Sequence, residues 1–209
     1  MEQELKKGCS PKDTVVYELH GNLYLNITNR CTLRCRHCPK FNKTWSVQDY
    51  NLRLASEPDV LQLLDLVGDP GRYNEIVFCG MGEPTKRLDT VLALSRALKH
   101  RGGKVRLNTD GLANLIHGRD VTTELAECVD EVSISMNAQN TDVYLQHCRP
   151  KMAYSYEYML EFARKLRRRM EGVTLTAVDG LEGVDISQCR QMAEAMRINF
   201  RTRTLGLVG

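Results

Sequence analysis

Three cysteines, Cys31, Cys35 and Cys38, fall within eight residues in the spacing C-x3-C-x2-C. Thiolate is the usual protein ligand for iron–sulfur clusters, and a [4Fe–4S] cubane normally takes four. A loop that offers three thiolates holds three irons and leaves the fourth open for chemistry. Two other readings use the same residues. A zinc knot needs a fourth ligand to close a tetrahedron. The local candidate is His37, which adjoins Cys38, and neighbouring side chains converge on one small ion only with strain. A disulfide with a spare thiol needs an oxidising compartment. The spacing favours the cluster over both.

A strand must deliver this loop. Leu23-Tyr24-Leu25-Asn26-Ile27-Thr28 alternates as a half-buried strand does, and Val15–Leu19 precedes it across the turn signal His20-Gly21-Asn22, so residues 15–28 read as a hairpin. A second strand, Glu75–Cys79, ends in Gly80-Met81-Gly82-Glu83-Pro84. Its glycines let another group approach the backbone, although a glycine pair also reads as a plain turn. Its place is more telling, because β/α proteins put their active sites at the C-terminal ends of strands. Lys104–Asn108 is a third strand, closed by Thr109-Asp110-Gly111, which also fits a simple turn.

Two further strands carry polar faces. In Asp130–Asn137, Val132, Ile134 and Met136 point to one layer and Ser133, Ser135 and Asn137 to the other. Those small polar groups touch a ligand if they face inward, and water if the strand lies at an edge. In Asn199–Leu205, Arg201 and Arg203 share a face. Turned inward, two guanidinium groups await an anion such as a substrate carboxylate or phosphate; Phe200 needs the opposite, helix-packed side, which favours that orientation. Among the intervening helices, one is expected to open at Glu57-Pro58, one to follow Asp120 as its cap, and one to run from a capping Ser155 to Met170.

Strand and helix alternate about six times, which predicts an α/β fold with a parallel sheet, too short for an eightfold barrel. Residues 15–209 read as one domain behind a loose polar arm over 1–14, where Cys9 lies. The N-terminus lacks the apolar core of a signal peptide and no stretch is long and apolar enough to span a bilayer, so a cytoplasmic protein is expected. There, eight cysteines serve as thiols or metal ligands. Cys79, Cys128, Cys148 and Cys189 sit in apolar contexts and read as core thiols. A net charge of +3 is weak for a nucleic-acid binder.

Read as C-x3-C-x-Φ-C, with His37 in the aromatic place, the cysteine run resembles the signature of radical S-adenosylmethionine (radical SAM) enzymes. Gly80-Met81-Gly82-Glu83-Pro84 is similar to that family's G-G-E-P, with Met81 where a glycine is usual. The resemblance implies an open (β/α)6 partial TIM barrel carrying a [4Fe–4S] cluster on Cys31, Cys35 and Cys38. It implies that the open iron binds SAM, whose one-electron cleavage gives a 5′-deoxyadenosyl radical that takes hydrogen from a substrate. It also implies roles for other residues. Met81, Gly82 and Glu83 would hold the SAM amino group, His37 would flank the adenine, and Thr109, Ser133, Ser135 and Asn137 would reach the ribose or carboxylate. A flavodoxin- or ferredoxin-type donor is the usual reductant. The runs Leu107–Asp120 and Cys148-Arg149-Pro150 look most like the TatD-linked subgroup, which implies a TatD-type hydrolase as companion. Alternatives are a glycyl-radical activase, a carboxy-deazaguanine synthase-like enzyme and, from another class, a non-catalytic zinc or redox-sensing module.

Overall fold

The computed structural model describes residues 13–205. The expected arm, residues 1–14 with Cys9, lies almost entirely outside that range. β1 (Val16–Leu19) and β2 (Asn22–Leu25) form the anticipated antiparallel hairpin, with Leu19 opposite Asn22. Its two turn residues, His20 and Gly21, have φ of 53° and 74°, the left-handed pair that matches the twist of a two-residue hairpin loop. A Cβ on Gly21 would also stand 2.6 Å from the Asn74 side chain.

After the cysteine loop come two two-residue strands, β3 (Ser46–Val47) and β4 (Tyr50–Asn51), paired as a miniature hairpin. Helix α1 (Val60–Val67) starts later than the Glu57-Pro58 expectation. Asp59 and Gln62 form a capping box, with Gln62 N donating to the Asp59 carboxylate at 2.8 Å and the Gln62 side chain accepting from Asp59 N at 3.1 Å. Glu57 is instead engaged by Arg30 and Arg87. The remaining elements alternate: β5 (Ile76–Phe78), α2 (Leu88–His100), β6 (Val105–Thr109), α3 (Ala113–His117), α4 (Thr122–Cys128), β7 (Glu131–Ser135), α5 (Thr141–Cys148), α6 (Ser155–Arg167), β8 (Val173–Asp179), α7 (Ile186–Ala195) and β9 (Asn199–Thr204). Two further helix starts differ from expectation. Asp120 does accept from Thr122, but Val121 holds the cap position of α4. Ser155 is the first residue of α6, not its cap; Tyr154, at φ 55°, takes that place, and the helix stops at Arg167.

The sheet runs β1-β2-β5-β6-β7-β8-β9, with β1 antiparallel at one edge and the other six strands parallel. This is the open (β/α)6 partial barrel with an N-terminal hairpin. Its register stacks apolar residues across the helix-facing side: Leu23 beside Ile76, Phe78 beside Leu107, Leu107 beside Val132, and Ile134 beside Leu175. All of these belong to the main core with Val91, Leu94, Leu98, Met159 and Phe162 from the helices. Each fully buried aliphatic or aromatic side chain contributes about 1.5–3 kcal/mol, so this face carries most of the stability. The opposite, inner face differs from strand to strand. At β1, β2 and β5 it holds a small cluster of Tyr17, Leu19, Tyr24 and Val77, joined by Leu52 and Met81. From β6 onward it is polar apart from Val178. No helix among the described residues is long and apolar enough to cross a membrane.

Candidate active site

The cysteine loop leaves the end of β2 and is held by backbone at both ends. Arg34 N donates to Cys148 O at 2.9 Å, Arg36 N to His147 O at 2.8 Å, and Lys151 N to Thr32 O at 3.2 Å, so the C-terminal end of α5 clamps the loop. Cys38 N donates to Cys35 O at 3.1 Å and Phe41 N to Cys38 O at 3.0 Å, folding the chain back after the third cysteine. Cys31, Cys35 and Cys38 are half-buried free thiols, and all three line one cavity of about 470 Å³ over the strand ends.

The second strand end is built against the first. At Gly82 a Cβ would stand 2.2 Å from Thr28 O and 2.6 Å from Arg30 O, so only glycine lets this loop pass so close to the strand that delivers the cysteines. Glu83 N donates to Arg30 O at 2.7 Å. The Glu83 carboxylate is buried and accepts four hydrogen bonds: from Thr85 N at 3.0 Å, Thr85 Oγ1 at 2.7 Å, Thr109 Oγ1 at 2.7 Å and Asp110 N at 2.7 Å. It therefore ties the ends of β5 and β6 together. Asp110 completes the tie, taking a hydrogen bond from Thr32 Oγ1 in the cysteine loop and one from Leu112 N at 3.0 Å. Burial, and then the Glu83 charge, push the Asp110 carboxyl well above its ordinary range.

The far wall is set by β7, β8 and β9. Ser133, Ser135, Thr176, Arg201 and Arg203 line the cavity, so both polar faces point inward. Asn137 lies just beyond β7 at φ 60°, and its Oδ1 accepts from Arg203 Nη2 at 2.7 Å. Arg201 Nη2 lies 3.5 Å from Ser133 Oγ. Arg203 Nε is buried without a hydrogen-bond partner, as is His37 Nδ1. Burial, then the Arg203 and His147 charges, hold the His37 imidazole down to about 4, so it is neutral at neutral pH. The floor is closed by ion pairs: Arg106 Nε to Glu75 at 2.9 Å, and Lys104 Nζ to Glu75 at 3.1 Å and to Glu131 at 2.6 Å.

All the residues singled out from the sequence therefore face one cavity: Cys31, Cys35, His37, Cys38, Met81, Gly82, Glu83, Thr109, Ser133, Ser135, Asn137, Arg201 and Arg203. Their exposed chemistry differs from expectation in two places. The Glu83 side chain is spent on structure, and Thr109 Oγ1 donates to it while accepting from Gly111 N at 3.1 Å. One cysteine read as a core thiol is also corrected: Cys79 lines the cavity. Cys128, Cys148 and Cys189 are buried in the main core, as expected, and there Cys148 accepts from Asn137 Nδ2 at 3.6 Å and from the Cys35 thiol. Asp110, read as a turn residue, is the main omission; its signal was its place after a strand that ends at the cysteine loop.

The donor set fits a cluster. The Cys35 thiol is raised by its bond to Cys148 and by burial, Cys31 is pushed up to about 12 by burial and by the Asp110 and Glu83 charges, and Cys38 is raised by burial. These are thiols that ionise only when a cation replaces the proton, as metal ligation does. Among the described residues, no three His, Cys, Asp or Glu side chains converge as around a single ion.

A profile described as the radical SAM superfamily matches residues 25–196. Curated relatives include a tungsten-containing aldehyde ferredoxin oxidoreductase cofactor-modifying protein of Pyrococcus furiosus, 32% identical over 57% of this chain and 31% of its own length. Another is a probable dual-specificity RNA methyltransferase RlmN of Streptococcus gordonii, 26% identical over 88% of this chain and 53% of its own. The chain thus spans about half or less of the curated relatives it matches. Among solved structures, Streptococcus suis SuiB bound to precursor peptide SuiA aligns with TM-score 0.69 at 13% identity, covering 91% of this chain and 40% of that one. TYW1 with a lysine-pyruvate adduct bound aligns with TM-score 0.61 at 15% identity, covering 97% and 70%. These last two likenesses speak to the fold.

Proposed function

The chain belongs to the radical SAM superfamily, a family of enzymes that use a [4Fe–4S] cluster and SAM, and from that premise we propose that it cleaves SAM reductively to abstract hydrogen from a small anionic substrate in the cytoplasm. Cys31, Cys35 and Cys38 would hold three irons of the cluster. The backbone of Met81, Gly82 and Glu83 lies at the cavity edge where the SAM amino group would sit, with His37 toward the adenine. Ser133 and Ser135 offer polar groups for the ribose or carboxylate, while Thr109 and Asn137 face the same cavity with side chains engaged by Glu83, Arg203 and Cys148. The chemistry supplied when cluster and SAM are bound is one-electron cleavage to methionine and a 5′-deoxyadenosyl radical, which removes a hydrogen atom. The chain's own contribution is to hold these groups still, since Glu83 and Asp110 lock the strand ends against the cysteine loop.

The observation that carries this reading is a single cavity shared by three spaced thiols and a cationic far wall. Arg203 is half-buried, with Nη2 on Asn137 and Nε buried without a partner, so an arriving anion would meet an unmatched donor. That favours a small acid, in a reaction of the carboxy-deazaguanine synthase kind, over the protein substrate of an activase. The subgroup proposed is the TatD-linked one, with a TatD-type hydrolase as companion. Its two distinctive runs supply Asp110 and Cys148, the side chain and backbone that bind the cysteine loop. Enzyme-family membership displaces the zinc or redox-sensing module.

The test is anaerobic reconstitution with iron and sulfide, reduction with SAM present, and assay for 5′-deoxyadenosine. Product from the native chain and none from Cys35→Ala is the expected result. Uptake of zinc with refusal of iron would end the proposal.

A further inference from the structure

Helix α5 brings two buried side chains to the cysteine loop that the proposed reaction leaves unused. Tyr144 and Cys148 stand four residues apart, so they share one face of the helix. Both are fully buried. Cys148 accepts from the Cys35 thiol. The backbone of the same turn clamps the loop on either side of that cysteine, with Arg34 N on Cys148 O at 2.9 Å and Arg36 N on His147 O at 2.8 Å. Cys148 is also fixed from behind. Asn137 Oδ1 takes the Arg203 hydrogen bond at 2.7 Å, which leaves the Asn137 amide to donate to the Cys148 sulfur at 3.6 Å. Tyr144 is the odder of the two, because its hydroxyl is buried without a hydrogen-bond partner. A buried donor left unmatched destabilises the fold that holds it. Burial, and after it the anionic forms of Cys148, Asp110, Cys35 and Cys31, push the Tyr144 phenol up. Its hydroxyl therefore lies within electrostatic reach of two cysteines of the loop.

A cluster on Cys31, Cys35 and Cys38 changes what these two groups meet. Iron on Cys35 takes the place of its proton, so the Cys35 sulfur stops donating and becomes an acceptor. The one proton left on the Cys35–Cys148 pair is then the Cys148 thiol's, with Asn137 still donating to the Cys148 sulfur from behind. The loop's sulfurs also become anionic acceptors near an unmatched phenol. We propose that Tyr144 and Cys148 are positioning residues that donate hydrogen bonds to the sulfurs of the loaded cysteine loop and make the cluster easier to reduce. This rests on the radical SAM reading above. Neither residue serves as an iron ligand, no covalent bond forms or breaks, and no proton leaves either side chain. Hydrogen bonds to sulfur are among the factors that set the potential of such clusters. An added electron raises the negative charge on the sulfurs, so a donor to them stabilises the reduced state more than the oxidised one.

The experiment compares the native chain with Tyr144→Phe, Cys148→Ala and Cys148→Ser, the last of which keeps a donor in place. Urea unfolding of the cluster-free chain comes first. Tyr144→Phe should unfold at the native midpoint or above it, because the hydroxyl has no partner there to lose. After anaerobic reconstitution all four proteins should carry the same iron. Their reduction potentials are then read by electron paramagnetic resonance during a reductive titration without SAM. Tyr144→Phe and Cys148→Ala should each make reduction about threefold to tenfold less favourable, which is ~30–60 mV for one electron. Cys148→Ser should stay near native. A native potential in Tyr144→Phe or in Cys148→Ala would overturn the proposal. So would a Tyr144→Phe midpoint well below native in the cluster-free chain, since the hydroxyl would then have a partner within the protein. Loss of iron from Cys148→Ala would overturn it as well, by making Cys148 a ligand. If the native chain takes up no cluster, the radical SAM reading itself fails and takes this proposal with it.

Discussion

The two walls of the cavity are built on opposite principles. On the cluster side, the carboxylates are already matched: Glu83 accepts four hydrogen bonds, and Asp110 accepts from Thr32 and Leu112. On the far side, Arg203 Nε has no partner and Arg201 reaches only Ser133 at 3.5 Å. The first wall is a finished framework that fixes where the cysteines stand. The second leaves a guanidinium nitrogen unpartnered at the cavity. Asn137 joins them, binding Arg203 on one side and Cys148, beside Cys35, on the other. The difference teaches how to separate structure from binding. Damage to the cluster wall should show first in stability, and damage to the far wall in ligand response.

The largest effect is expected from Glu83→Ala. It strands four buried donors, and leaving buried groups unsatisfied costs about 1–3 kcal/mol each, with partial relief as water enters. A loss of at least about 3 kcal/mol in urea unfolding, with failed iron uptake, is expected. A variant of near-native stability would dissolve the distinction between the walls. Next is Arg203→Met. Replacing an uncompensated buried cation by an apolar chain of similar length is often neutral or stabilising. The melting temperature in dilute buffer should hold or rise, while the stabilisation given by added phosphate should vanish. A large drop in the melting temperature would mean that Arg203 is structural after all.

Cys148→Ala probes the join. Truncation at a buried site removes packing and the Asn137 bond, costing about 1–2 kcal/mol. Cluster content should stay at that of three cysteines, since Cys31, Cys35 and Cys38 remain. A parallel loss of iron would show that Cys148 is a ligand in its own right.

Much of this was legible from local pattern. Alternation in Asp130–Asn137 and Asn199–Leu205 already grouped Ser133, Ser135 and Asn137 on one face and Arg201 and Arg203 on another, because a strand sends alternate residues to opposite sides, while whether those faces look inward depends on the rest of the fold. The cysteine spacing and the glycine-flanked end of β5 were equally local. What escaped depends on distance along the chain. Cys148 meets Cys35 only because the end of α5 folds back over the loop, and Asp110 reaches Thr32 only because parallel strands align their ends. The start of α1 was missed for a nearer reason. Asp59 and Gln62 carry a capping-box pattern three residues apart, but Glu57-Pro58 drew the boundary too early.

The smallest effect concerns the floor beneath both walls. Burial alone would raise the Glu75 carboxyl, but hydrogen bonds and charges from Lys104 and Arg106 outweigh it and hold the group below its ordinary range. A depressed folded value gives stability that is present above the unfolded carboxylate pKa, about 4.3, and is lost as pH falls through the folded one. Glu75 is partly open to solvent, so its share is at most about 1 kcal/mol after screening. Glu75→Gln should therefore lower the urea midpoint slightly at pH 6 and bring the two proteins together at pH 3. A gap that stays constant across that range would place the contribution in packing or neutral hydrogen bonding. The far wall would then rest on a floor indifferent to charge.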